Sequence, residues 1–106
     1  MPAWLQRLLN LRSPSDQLVQ IEQREPSLEE RLERLLGRVG RYSARTVNDL
    51  DEIISDLDKV LDIVDKIITA LENIGGAERA RNLRSRLRNH RTRATRAYEK
   101  LRAASS

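Results

Sequence analysis

The sequence predicts an all-α protein: a long antiparallel helical hairpin with a third helix packed on it, a three- to four-helix, coiled-coil-like bundle. Three observations predict it. Apolar residues from 47 to 104 recur at alternating spacings of three and four, the period of a helix stripe and not of a strand. Aromatic residues make up 3% of the chain and Phe is absent, so Leu, Ile, Val and Ala must form the core; that suits helix packing better than a β-sandwich. The Pro and Gly residues fall at points that divide the chain into helical pieces. At 106 residues the chain has room for one core.

Residues 2–11 read as a short amphipathic helix. Pro2 suits a first helical turn, and Trp4, Leu5, Leu8, Leu9 and Leu11 accompany Arg7 and Arg12. Ser13-Pro14-Ser15-Asp16 stops this helix and caps the next, which runs to about Arg24. Glu25-Pro26-Ser27 predicts a second break, because proline removes a backbone donor and clashes with the preceding turn. Residues 1–26 are therefore expected to form an N-terminal helical arm, and residues 27–106 the bundle. Ser27 and Glu30 have the spacing of a capping box, opening a helix over 28–40 with Leu28, Leu32, Leu35, Leu36 and Val39 on one face. Gly40 is the expected C-cap.

The helix over 43–73 has the strongest pattern. Val47, Leu50, Ile54, Leu57, Leu61, Val64, Ile68 and Leu71 form a heptad seam, and Ile53, Val60, Ile67 and Ile74 widen it. So broad a stripe needs two neighbours, and the 28–40 helix is expected on the Ile53/Val60/Ile67 side. Gly75-Gly76 predicts the turn. The last helix, over 77–102, carries Ala80, Leu83, Leu87, His90, Ala94, Ala97 and Leu101 as its seam, continued by Ala104. Folding back at the glycines sets Val64 against Leu87, Leu61 against His90 and Leu50 against Leu101. His90 reads as a polar seam residue that fixes register, with a pH-sensitive switch as the functional alternative.

Charge is segregated by helix. Net charge is +4, and all but three of the 20 basic residues are Arg. Residues 43–76 hold eight acidic and three basic side chains; residues 77–106 hold ten basic and two acidic ones. The hairpin is expected to pair Asp65 with Arg84 and Asp58 with Arg91. Arg79, Arg81, Arg86, Arg88 and Arg93 are left over by that pairing. They are the candidate nucleic-acid contacts, since cations spaced along a helix can track phosphates.

Several chemistries are excluded or weakened. Cys is absent and there is a single His, so disulfides, thiolate chemistry and His- or Cys-based metal clusters are out. The four glycines lack the spacing and the following Lys of a phosphate loop. Asp49 and Glu52 resemble the paired acids of all-α nucleotide pyrophosphohydrolases. Their Asp-x-x-Glu order departs from that family's second motif, and both fall on the outer side of the long helix.

The expected function is non-enzymatic and without cofactor or metal: a small helical interaction or assembly protein. Its expected partner is a second copy or another helical protein, met through Trp4, Leu5, Leu8 and Leu9. The alternative is nucleic-acid binding through the Arg-rich last helix. No apolar run is long enough to span a membrane. Membrane-surface contact by the first helix is a lesser possibility. Residues 1–10 do not read as a signal peptide, and the expected location is cytoplasmic.

Overall fold

Ser43 accepts a hydrogen bond from the Thr46 amide at 3.4 Å and opens a 28-residue helix, as its position before the heptad seam demands. Around it the computed structural model, which describes residues 2–104, arranges α1 (Ala3–Leu9), α2 (Pro14–Leu36), α3 (Ala44–Leu71) and α4 (Ala77–Ala104). Residues 1, 105 and 106, the outer ends of the two expected segments, lie outside the described residues. The fold is all-α, with α3 and α4 packed closely against each other. The assembly measures 49 × 24 × 20 Å.

The α3–α4 hairpin follows the two seams. Val47, Leu50, Leu57, Leu61, Val64, Ile68 and Leu71 are buried on α3, and Ala80, Leu83, Leu87, His90, Ala94, Ala97 and Leu101 on α4, while Ile54 is half-buried and Ala104 is exposed beyond the end of the seam. Each fully buried Leu, Ile or Val contributes roughly 1.5–3 kcal/mol relative to leaving it exposed. The turn uses the left-handed region at Gly75 (φ 91°) and Gly76 (φ 90°), where a side chain would be strained. The Leu71 carbonyl accepts from the Ile74 amide at 3.2 Å and from the Gly75 amide at 2.9 Å. α3 therefore ends at Leu71, two residues short of the expected 73. Ile74 falls beyond the helix and is 75% exposed rather than part of the second apolar line.

The expected break at Glu25-Pro26-Ser27 does not occur. α2 is one helix through Pro26, so Ser27 is mid-helix and no capping box forms there. The boundary drawn at residue 26 falls inside this helix, and only α1 and its connection lie apart from it. The reason is a seam that runs through the proline: Leu18, Ile21, Glu25, Leu28, Leu32 and Leu35 are all buried, at spacings of three and four. Breaking the helix would turn half of that face off the bundle. Pro26 itself is exposed, so its ring meets solvent, and burial of the leucines outweighs a penalty of about 3 kcal/mol. The N-cap is Ser13, whose Oγ accepts from the Asp16 amide at 3.4 Å, with Pro14 at the first helical position. The C-cap is Gly37 and not Gly40. α2 lies against both α3 and α4, covering Ile53, Val60 and Ile67 as the breadth of the α3 stripe requires.

Two measurements check this packing. In urea denaturation Pro26→Ala is expected to stabilise the protein by about 1–3 kcal/mol, by restoring a helix donor at an exposed site. Leu57→Ala, at a fully buried site, is expected to destabilise it by about 2–5 kcal/mol.

Candidate functional site

Two surfaces follow from the sequence: the first helix, and the arginine flank of the last. α1 is seven residues long, too short to be stable alone, and it is held from both ends. The Pro2 carbonyl accepts from the Leu5 amide at 3.1 Å. Gln17 Nε2 of α2 donates to the Leu8 carbonyl at 3.3 Å and the Leu11 carbonyl at 3.2 Å. Leu5 and Leu8 point into the chain's own core and have essentially no exposure. Trp4 is half-buried, with the Arg24 guanidinium 5.5 Å above its ring. Leu9 is 54% exposed. Of the four residues expected to meet a partner, then, only Leu9 and part of Trp4 are open to one while α1 stays seated. A cleft of about 250 Å³ opens beside Trp4, lined by it, Leu8 and Leu11 with Arg7, Gln20 and Arg24.

The arginine flank is largely occupied. Arg84 bonds Asp65 at 3.2 Å and Arg91 bonds Asp58, the two hairpin pairs the sequence expects. Four of the five residues left over by the hairpin are engaged by the fold. Arg79 bonds Glu22 at 2.5 Å, Arg86 bonds Glu25 at 2.9 Å and Arg93 bonds Glu33 at 2.5 Å. All three acids lie on α2, because the helix that continues through Pro26 runs parallel to α4 and lays its carboxylates along this flank. Arg81 reaches Glu72 at 3.4 Å. Arg88 is exposed and has no ion pair among the described residues. The hydrogen bonds first, and the negative charges second, raise Arg79 above the ordinary guanidinium range through Glu22 and Arg91 through Asp58.

His90 lies in the seam, but its polar partner comes from α2. Its Nε2 is 3.2 Å from Glu25 Oε2, and Arg86 Nε donates to both Glu25 oxygens at 2.9 and 3.0 Å. An ionised carboxylate only accepts, so in this contact Nε2 carries the hydrogen. His90 and Glu25 are both buried, and His90 Nδ1 has no partner among the described residues. A second buried acid, Asp56 of α3, accepts from Arg31 of α2 at 3.1 Å, with Glu52 3.6 Å from the same guanidinium. Asp49 stands in a cleft with Arg31, Arg34 and Arg38. Arg31 and Arg34 belong to α2 and Arg38 lies just beyond its end, and Arg31 also reaches Glu52 and Asp56.

The arrangement clamps helices together: one polar contact in the α2–α4 seam, one between α2 and α3, and exposed pairs along both flanks. Sequence reasoning missed Glu22, Glu25, Glu33 and Arg31 as partners. The available signal was the unbroken spacing of Leu18, Ile21, Leu28, Leu32 and Leu35 across the proline, which places Glu25 in a seam. The class defined, among the described residues, is an all-α bundle of four helices in which the arginines of α4 are engaged mainly with carboxylates of α2 and α3. No protein-family model, curated protein or solved structure matches the chain.

Glu25→Ala is expected to destabilise the fold by about 1–3 kcal/mol, because it leaves the buried imidazole without its partner. Glu33→Gln, which loses an exposed pair, is expected to change stability by less than about 1 kcal/mol. Glu25→Leu combined with His90→Leu is expected to recover most of the Glu25→Ala loss, since removing both partners of a buried polar pair is far milder than removing one. Urea titration of the three variants checks the series.

Proposed function

We propose that the chain is a small non-enzymatic helical interaction and assembly protein, acting in the cytoplasm, whose first partner is a second copy of itself. The observation that carries the reading is where apolar surface remains. Among the described residues, four large apolar side chains are exposed: Leu9, Val19, Tyr42 and Ile74. Tyr42 and Ile74 are in the inter-helix turns, so the two on helices, Leu9 and Val19, belong to the α1–α2 pair. Trp4, under Arg24, and the neighbouring cleft belong to that pair as well. Trp and Arg are the side chains most often dominant at protein interfaces. The non-enzymatic part is supported by what the ionisable groups do: Glu22, Glu25, Glu33, Asp56 and His90 are engaged in contacts between helices.

A second reading, nucleic-acid binding, draws on basic side chains without carboxylate partners. On the α4 flank Arg88 fits that description, whereas Arg79, Arg81, Arg86 and Arg93 would each have to leave an acid first. None of the described helices is long and apolar enough to cross a membrane.

Light scattering on the full chain at about 100 μM, a concentration that reveals even weak interfaces, tests the first reading. A dimer or larger species is expected, shifted toward monomer by Leu9→Ser with Val19→Ser. Those two changes are expected to leave the helical circular dichroism intact, because both side chains are at the surface. A monomer mass for the unmutated chain overturns the reading.

A further inference from the structure

Acidic and basic side chains balance along most of the bundle, many of them in pairs between helices, and leave a basic surplus at one end. α2 runs parallel to α4, as Glu22–Arg79, Glu25–Arg86 and Glu33–Arg93 show, and α3 runs antiparallel to α4. The end of α2, the 37–43 turn, the first turn of α3 and the last turns of α4 therefore lie at the same end of the molecule, although they are remote in sequence. They carry Arg34, Arg38, Arg41, Arg45, Arg96 and Lys100, all exposed. None of the six has an ion pair among the described residues.

The acids near this end offset little of that charge. Glu33 is held by Arg93 at 2.5 Å, Asp49 is half-buried in the cleft with Arg34 and Arg38, and Glu99 is exposed; Glu29 and Glu30 stand about a turn further back on α2. The first turn of α3 contains no acidic residue, so its N-terminal amides add to the positive potential. Both tyrosines of the chain are here too. Tyr42 is 52% exposed in the turn, and Tyr98 has the Arg102 guanidinium 5.8 Å over its ring.

We infer that this basic end binds single-stranded nucleic acid, with its phosphates on the arginines and a base stacked on Tyr42. Guanidinium groups recognise phosphate with fixed planar forks, and releasing the counterions of the nucleic acid drives the association. An exposed aromatic ring among such cations is the arrangement that holds unstacked bases without sequence preference. The surface deepens the nucleic-acid reading by moving it from the α4 flank to this end, and it is independent of self-association.

The test is fluorescence anisotropy of the full chain with a labelled oligothymidine of about 20 nucleotides and with a duplex of equal length, at roughly 50 and 200 mM salt. Binding to the single strand is expected, weakening steeply with salt. The combined variant Arg38→Gln, Arg41→Gln, Arg45→Gln is expected to bind at least about tenfold more weakly and to flatten the log–log salt slope by about 2, at roughly 0.7 per phosphate. Its thermal melt is expected to be unchanged, because these side chains hold no partner in the fold. Tyr42→Ala is expected to weaken binding about tenfold, and Arg88→Gln to leave it unchanged. No binding at about 50 mM salt overturns the inference. So does binding to phosphatidylserine vesicles without binding to the oligonucleotide. An equal loss from Arg88→Gln moves the site back to the α4 flank and overturns this location. Equal affinity for the duplex, with Tyr42→Ala silent, overturns the single-strand assignment.

Discussion

The rest of the structure depends on the burial of a stripe on α3 too wide for one partner. Leu57, Leu61 and Val64 face α4, while Ile53, Val60 and Ile67 need a second cover. That need keeps α2 helical through Pro26. A helix that stopped at Glu25 would leave Leu28, Leu32 and Leu35 in a piece of their own, unable to continue the seam of Leu18 and Ile21. The lost hydrogen bond at the proline is a local cost; the buried face it interrupts is a larger gain spread over 23 residues. Once α2 is continuous, its tilt and register against α4 fix the position of every carboxylate on it.

The ion pairs follow from that register rather than create the fold. An exposed pair such as Arg93–Glu33 or Arg84–Asp65 contributes about 0–1 kcal/mol. Several along one flank act together by making a shifted register worse, since like charges or empty positions would then meet. The buried contact of Glu25 with His90 and Arg86 acts differently. In a seam otherwise made of Leu, Ile and Ala, a misplaced carboxylate would lie against apolar side chains with no hydrogen bond, at a cost of several kcal/mol. One polar contact in the α2–α4 seam thus specifies alignment more sharply than the exposed pairs do.

Charge segregated by helix in sequence becomes charge cancelled by pairing in space. The acids of α3 and α2 flank the arginines of α4, so the last helix, the most basic segment of the chain, retains little unengaged charge along its middle. The surplus that gives the chain its net +4 is concentrated where the acidic segments give out, near the 37–43 turn. Apolar exposure is redistributed in the same way: Leu5 and Leu8 turn inward to cover the bundle, and Leu9 remains outside.

The sequence by itself determined the helical class, the α3–α4 hairpin, its glycine turn, the burial of Leu61 and His90 and the pairs Asp65–Arg84 and Asp58–Arg91. These depend on periodicity and on contacts between helices adjacent in the chain, so spacing alone reveals them. The spacing of Leu18 to Leu35 favours a helix through Pro26 and local propensity a break, and only the tertiary structure decided between them, because the compensation comes from residues of α3 and α4. The same holds for Glu22, Glu25 and Glu33, whose arginine partners are about 60 positions away, and for the gathering of Arg34 to Arg45 with Arg96 and Lys100. No local pattern records which face of α2 meets which flank of α4; that is settled when three helices bury a common core.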